Sequence, residues 1–192
     1  DSHLVGKLQY QGPALLKQAL VRHCEQASGP FQFGTALDLG CGTGLMGEAI
    51  RAEAGFLAGC DLSPRMIAKA QAKKRADGSP LYDKLATADL TAFLASRPDA
   101  SADLVVSTDV FIYLGDLAPS FHQSARVLKM GGLLAFTVQS HQGAGIIVGR
   151  DRRFAHAEGW IREALSQARL RPMLVEPQSV RMDRGEPVPG LI

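Results

Sequence analysis

Carboxylates recur at the ends of predicted strands in the first half of the chain. Asp38, Asp61 and Asp89 each follow a short apolar run. The most apolar run, DLVVST at 103–108, ends in Thr108 and is followed by Asp109. The buried end of a core strand has no need of a carboxylate, because an unpaired charge is costly there. Parallel strands would bring these ends to one edge of a sheet, where α/β proteins bind ligands. The recurrence therefore indicates a ligand site that uses acidic groups.

A glycine-rich turn lies directly after the first of these carboxylates. Segment 36–47 reads ALDLGCGTGLMG, which predicts a buried strand, a turn and the start of a helix. Such a turn lets a ligand approach the backbone and offers free N–H groups. A G-x-G-x-x-G pattern can be drawn through Gly42, Gly44 and Gly47, which would suggest NAD. An acid set before the glycines would instead repel a pyrophosphate and favour a cationic ligand.

The next two carboxylates fit the rest of an adenosine. Asp61 lies about twenty residues after the glycine turn. In nucleotide-binding folds, a carboxylate at this spacing accepts hydrogen bonds from ribose hydroxyls. Asp89, with Leu90 beside it, could hold an adenine through its exocyclic amine and ring face. For both, the alternative is a structural one: Asp61 caps the helix region at Ser63, and Asp89 caps a short helix.

Elements that alternate along the chain must position these residues. Apolar runs predict strands at 35–38, 56–60, 84–88, 103–108 and 133–138. Helical spacing and cap residues predict a helix that begins at Pro13 and is ended by Ser28-Gly29-Pro30, and further helices at 43–53, 64–74, 91–95, 118–128 and 157–169. Segment 141–154 is interpreted as a long loop, 172–175 and 180–182 as strand material, and 190–192 as the opening of a last strand. This alternation predicts an α/β fold with a parallel sheet.

Several motifs in this order resemble the class I S-adenosylmethionine-dependent methyltransferases. They are DLGCGTG, CDLSPRMIAKA, ATADL, DLVVSTDVFIYL and RVLKMGGLLAF, the last with Met130 where that family usually has proline. More narrowly, DVFIYLGDL, RRFAHAEGWI and RMDRGEPVPGLI resemble methyltransferase domains linked to tetratricopeptide repeats in bacteria, which would make a repeat region of a longer chain a partner.

The resemblance implies a Rossmann-like, doubly wound, mostly parallel seven-stranded sheet with helices on both faces. Its last strand would be antiparallel and could be truncated at residue 192. Residues 1–30 would form a helical lid segment, and residues 31–192 would form the domain that binds S-adenosylmethionine.

The resemblance also assigns residues to parts of the cofactor. The amino acid moiety and the turn would involve Asp38, Gly40, Cys41, Gly42 and Gly44. The ribose and adenine would involve Asp61, Leu62, Met66, Asp89 and Leu90. The sulfonium side would be lined by Thr108, Asp109 and Val110, and Tyr10 would belong to the lid.

Catalysis and acceptor binding rest on fewer signals. Asp109, His141 and His156 are candidate general bases, although a histidine is more often a surface residue. Tyr113 could orient an acceptor or simply pack. The basic run with Arg150, Arg152 and Arg153 could bind a carboxylate or phosphate of the substrate, or it could be a solvated part of the surface. No metal-ligand spacing is convincing. The expected reaction is methyl transfer to an oxygen or nitrogen of a small-molecule or carrier-bound acceptor; an NAD-dependent oxidoreductase and a non-catalytic binding module remain alternatives.

Composition sets the remaining limits. The 192 residues fit one domain, and the net charge of +2 gives no electrostatic case for nucleic acid. The odd number of cysteines, without paired spacing, argues against a disulfide framework or a zinc site. The sequence shows neither a membrane-length apolar run nor a signal peptide, so a cytoplasmic setting without membrane partners is expected. Because the chain begins at Asp1 without a methionine, either a trimmed chain or a piece of a longer protein is expected.

Overall fold

Five parallel strands form the centre of the computed structural model, which describes residues 11–149, 151–179, 182–183 and 185–192. They are β1 (Phe33–Leu39), β2 (Ala54–Asp61), β3 (Lys84–Thr87), β4 (Ala102–Ser107) and β5 (Leu128–Phe136). Their order in the sheet is β3-β2-β1-β4-β5. The chain leaves β1 towards β2 and β3 on one side and returns through β4 on the other. The carboxyl ends of β1 and β4 therefore flank the switch point at which such sheets bind ligands.

Helices cover both faces of this sheet. They are α1 (Gly12–Gln26), α2 (Leu45–Ile50), α3 (Pro64–Ala72), α4 (Leu90–Ala95), α5 (Ala118–Val127) and α6 (Glu158–Gln167), with 3-10 turns at Arg51–Glu53 and Phe111–Tyr113. Successive side chains of a strand point to opposite faces. Accordingly, Ala36 packs in one core cluster with Leu16 of α1, whereas Leu37 packs in the other with Phe121 of α5. The predicted two-faced α/β architecture is confirmed.

The start of α3 shows how local sequence places an element at the site. Ser63 is its N-cap and accepts a hydrogen bond from the Met66 N–H at 3.4 Å, and Pro64 is the first helical residue. Both residues suit these positions, because serine satisfies a free N–H and proline has none to satisfy. The helix therefore begins directly after Asp61 and fixes the chain that leaves β2.

The predicted single sheet of seven strands differs from the observed one. The chain of β5 continues after Thr137 as β6 (Val138–His141), which runs beyond the end of β4 and takes other partners. These are β8 (Phe154–Ala157), parallel to it, and β11 (Gly190–Leu191), antiparallel to it. With β7 (Ile146–Val148), they form a separate four-stranded sheet. A further pair, β9 (Met182–Asp183) and β10 (Glu186–Pro187), stands apart.

Two segment predictions need correction, and a third falls mostly outside the described residues. Segment 141–154 is not one loop, because the branched residues of β7 form an antiparallel pair with β8. Segment 172–175 is not a strand; the backbone pairs further on, where Glu176 and Ile192 exchange hydrogen bonds of 2.9 and 3.0 Å. Of segment 180–182, only Met182 lies within the described residues, in β9. The predicted last strand at 190–192 is confirmed as β11.

The fifth strand begins earlier than predicted, at Leu128 rather than at residue 133. The pair Gly131-Gly132 does not separate a helix from a strand but lies inside β5. The register shifts there, from Ala102 opposite Leu128 to Leu104 opposite Leu133. Three more residues of β5 than of β4 lie between these two pairs, and Gly131 accommodates the irregularity with a left-handed φ of +79°.

The predicted lid segment, 1–30, lies partly outside the described residues, and Tyr10 is among those outside. Its helix α1 packs on the sheet, with Leu16 and Leu20 only 1% and 4% exposed. No helix in the described ranges is long and apolar enough to cross a bilayer.

Candidate active site

Asp38 closes β1 in a fully buried position. The residue is 1% exposed, and its Oδ2 accepts a hydrogen bond of 2.6 Å from the hydroxyl of Tyr82. Its Oδ1 has no hydrogen-bond partner among the described residues. Burial raises the pKa of Asp38 to about 7, and the nearby charge of Asp61 adds to this, whereas the Tyr82 hydrogen bond lowers the pKa. A buried acceptor atom without a donor suits a ligand that brings a cationic N–H group.

Asp61 ties the glycine turn to the end of β2. Its Oδ2 accepts from the Gly42 N–H at 2.9 Å, and its Oδ1 accepts from the Ser63 N–H at 2.8 Å. The turn also extends the pairing of β1 with β2, since the Cys41 N–H donates to the Cys60 carbonyl at 2.8 Å. A carboxylate offers about four acceptor sites, so Asp61 keeps capacity for ribose hydroxyls. The structural and the ligand-binding interpretations of Asp61 are therefore compatible.

The predicted adenine contacts differ in how far they reach solvent. Leu62 is 72% exposed beside Asp61, and Met66 is partly buried one turn into α3. Leu90 is 7% exposed and belongs to the core. Asp89 is the N-cap of α4, and its Oδ1 accepts from the backbone of Thr91 and Ala92. The capping alternative for Asp89 is thus observed, and its role towards a base stays a prediction.

The turn after β4 contacts the glycine turn. Gly40 leaves no space for a side chain, because a Cβ there would lie 2.3 Å from Cγ2 of Val110. Thr108 is 9% exposed, and Asp109 has a left-handed φ of +57°. The Asp109 N–H donates to Thr137 Oγ1 at 2.9 Å, which fixes this conformation. Val110 therefore contacts the glycine turn, and Thr108 and Asp109 directly precede it; their role towards the sulfonium side of the cofactor stays a prediction.

Asp109, Arg153 and Tyr113 come together beside this turn. Burial raises the pKa of Asp109 to about 6, and the guanidinium of Arg153 opposes this shift. The Arg153 guanidinium lies 5.7 Å from the centre of the Tyr113 ring, whose side chain is 60% exposed. Arg152 is exposed in a tight turn, where its N–H donates to the Gly149 carbonyl. Arg150 lies outside the described residues.

The two candidate histidines are engaged with backbone. His141 Nδ1 accepts from the Gly143 N–H at 3.1 Å, and its Nε2 lies 3.2 Å from the Gly145 carbonyl. His156 is 0% exposed, and its Nε2 lies 2.9 Å from the Gly115 carbonyl. A general base needs a free lone pair within reach of an acceptor. The geometry therefore does not favour either histidine as the base, because the lone pair of His141 is used in its own turn and His156 is enclosed.

The enclosed His156 makes stability depend on pH. Burial lowers its pKa, so protonation favours the unfolded state, and stability is lost as pH falls below the unfolded pKa of about 6.5. We expect His156→Gln, which keeps a donor for Gly115 but does not titrate, to lose less stability between pH 8 and pH 5 than the parent protein. Thermal denaturation of both proteins at several pH values measures this. Parallel curves would contradict it.

An apolar cavity of about 850 Å³ lies elsewhere, along the outer edge of β5. Leu16 and Leu20 of α1 line it from one face, and Ile161 and Leu165 of α6 line it from the other. None of the strand-end carboxylates takes part in it. It is therefore separate from the strand-end carboxylates described above.

Two residues of the site carried no signal in the sequence. Thr137, 1% exposed between β5 and β6, fixes the turn of Asp109. Tyr82, 4% exposed, donates a hydrogen bond to Asp38. It lies in the irregular connection that precedes β3. Both act through long-range contacts, which spacing along the chain does not reveal.

Comparison with known proteins shows the family. A family model described as a methyltransferase domain matches residues 37–136, which is just over half of the chain. The matched range runs from β1 to the end of β5. It thus contains the glycine turn and all four strand-end carboxylates.

Individual relatives agree with the family model. YqeM of Bacillus subtilis, named as a candidate methyltransferase, is 34% identical over 144 residues, which cover 68% of this chain and 56% of that protein. A ubiquinone biosynthesis O-methyltransferase of Rhizobium rhizogenes is 27% identical over 105 residues, 55% of this chain and 41% of that protein. The chain spans about half the length of the curated relatives it matches.

A solved structure shows the same fold. The S-adenosylmethionine-dependent methyltransferase of Mesorhizobium loti superposes with a TM-score of 0.62 at 22% identity, covering 92% of this chain and 97% of that one. The family match supports S-adenosylmethionine as the cofactor and does not favour the NAD alternative. The resemblance to repeat-linked domains stays a prediction. The chain belongs to the methyltransferase-domain family.

Proposed function

We propose that this protein transfers a methyl group from S-adenosylmethionine to an oxygen or nitrogen atom of a small-molecule or carrier-bound acceptor. When bound, the cofactor supplies a methyl group on a sulfonium sulfur, and in-line displacement by the acceptor leaves S-adenosylhomocysteine. The observation that carries the proposal is the buried Oδ1 of Asp38, which lacks a donor among the described residues beside the glycine turn. Family membership supports the same reaction.

The residues present fit this cofactor. Asp38 Oδ1 would accept from its ammonium group, which is positively charged at neutral pH and matches a buried carboxylate. Gly42 has no neighbour within 4 Å of a Cβ position, so the backbone there is open to a ligand. The free acceptor sites of Asp61 would take the ribose hydroxyls. A dinucleotide would instead bring its pyrophosphate to the buried carboxylate, which is unfavourable.

The acceptor side is supported by the group of Asp109, Arg153 and Tyr113. Asp109, with a pKa of about 6, is ionised at neutral pH and can hold the proton that an acceptor hydroxyl or amine loses. Arg153 would pair with an acidic group of the acceptor, because a guanidinium binds a carboxylate through two parallel hydrogen bonds. The exposed ring of Tyr113 offers a face for an apolar acceptor body. Holding the acceptor in line can contribute about 7–11 kcal/mol in well-aligned reactions.

Calorimetry with three ligands tests this proposal. We expect S-adenosylmethionine and S-adenosylhomocysteine to bind and NAD to give no heat above dilution, because Asp38 suits a cation and opposes a pyrophosphate. Transfer of a labelled methyl group into cell extract then separates an enzyme from a module that only binds the cofactor. Tight NAD binding without binding of S-adenosylmethionine would overturn the proposal. Binding without any label transfer would leave only the non-catalytic alternative.

A further inference from the structure

Tyr82 occupies a cradle formed by three glycines. A Cβ at position 47 would lie 2.2 Å from the Tyr82 hydroxyl, and one at position 59 would lie 2.9 Å from its ring. A Cβ at position 44 would lie 3.0 Å from the same ring. These positions belong to α2, β2 and the glycine turn. The glycine that completes the NAD-like pattern, Gly47, therefore makes room for Tyr82 and not for a phosphate.

The cradle directs the hydroxyl of Tyr82 at Asp38. The distance between the Tyr82 hydroxyl and Asp38 Oδ2 is 2.6 Å, and both residues are almost fully buried. The backbone beside Tyr82 is anchored by Asp83, whose Oδ2 accepts from the Leu57 N–H at 2.7 Å and from Arg51 at 2.6 Å. The tyrosine is thus held from both sides, and its one polar atom contacts the carboxylate.

We propose that Tyr82 is a positioning residue that fixes the orientation and the charge of Asp38 through this hydrogen bond, and that the cofactor's ammonium group is bound through Asp38 in consequence. The inference rests on the proposed function, because it assumes that this ammonium group binds at Asp38. Occupying Oδ2 leaves Oδ1 as the atom that faces a ligand. A hydroxyl donor also stabilises the ionised carboxylate, which is the form that attracts a cation.

Binding should then depend on pH near neutrality. The titratable groups that act on Asp38 among the described residues are Tyr82, Asp61, Cys41 and Cys60. Burial raises the pKa of both thiols and of Tyr82, so these three stay protonated below pH 8. Asp38, with a pKa of about 7, gains its charge as pH rises through neutrality. Affinity for an ammonium-bearing ligand should rise over the same range, with release of a proton.

Tyr82→Phe tests the inference by calorimetry between pH 5.5 and pH 8. Loss of the hydroxyl raises the pKa of Asp38, so we expect the midpoint of the affinity curve for S-adenosylmethionine to move up by about one pH unit or more. At pH 7, a shift of one unit from a midpoint near 7 corresponds to roughly fivefold weaker binding. Methylthioadenosine lacks the amino acid moiety and should bind both proteins with equal affinity at every pH.

Asp83→Asn is the matched control. It weakens the neighbouring anchor without removing the contact to Asp38, so it should lower the melting temperature and leave the pH midpoint unchanged. An unshifted midpoint in Tyr82→Phe, or an equal loss of methylthioadenosine affinity, would overturn the inference. If Tyr82→Phe does not fold, a pH-independent affinity of the parent protein for S-adenosylmethionine overturns it instead. Failure of the parent protein to bind S-adenosylmethionine at any pH would refute the proposed function itself.

Discussion

Asp109→Asn is expected to lower kcat for methyl transfer by a factor of about 10² to 10⁴, the range over which a general base contributes. The amide cannot accept the proton that an acceptor hydroxyl or amine loses. Asparagine tolerates the left-handed conformation that this position adopts, with φ at +57°, so the fold should be retained. Initial rates of labelled methyl transfer at saturating cofactor measure the effect.

The pH profile gives this prediction a second readout. Burial raises the pKa of Asp109 to about 6 against the opposing charge of Arg153, so the base is ionised above that value. The rate of methyl transfer by the parent protein should fall as pH decreases through about 6. The Asp109→Asn variant should not show this decrease. The exposed Asp116 on the same segment supplies a control, because Asp116→Asn makes the same chemical change away from the site. A kcat within about threefold of the parent protein would show that another group takes the proton.

The sequence predicted the site where its signal was local. Asp38 and Asp61 follow apolar runs directly, and a parallel sheet brings strand ends to one edge, so their proximity followed from topology alone. The start of α3 was also predictable, because Ser63 and Pro64 satisfy the helix terminus by their own chemistry. Such features need only neighbouring residues and the period of each element.

Features that depend on distant contacts were not predictable in the same way. Tyr82 reaches Asp38 across 44 positions of sequence, and no periodic pattern surrounds it. His156 was a candidate because of its residue type and its place before a predicted helix, yet it is enclosed by its contact with Gly115, which lies 41 positions away. The register shift at Gly131 similarly depends on the partner strand β4, so local sequence did not predict that β5 begins at Leu128.

Asp61→Ala is expected to weaken the binding of S-adenosylhomocysteine by a factor on the order of 10² or more. Two hydrogen bonds from ribose hydroxyls to a carboxylate contribute about 1.5–3 kcal/mol each, and about 1.4 kcal/mol corresponds to a factor of ten. The change also removes the acceptors of the Gly42 and Ser63 N–H groups, so part of the loss comes from the glycine turn. Calorimetry gives the total effect, and thermal denaturation shows whether the variant stays folded.

A ligand without one ribose hydroxyl separates the two contributions. A disordered turn would weaken the binding of S-adenosylhomocysteine and of its 2′-deoxy analogue alike. A lost ribose contact would weaken the binding only of the ligand that carries the hydroxyl. The parent protein should therefore prefer S-adenosylhomocysteine by about tenfold or more, and Asp61→Ala should bind the two with nearly equal affinity. If the variant keeps the full preference, Asp61 only supports the turn and the ribose hydroxyls bind another residue. If the parent protein shows no preference, the ribose does not bind through its 2′-hydroxyl, and the assignment of that contact to Asp61 is wrong.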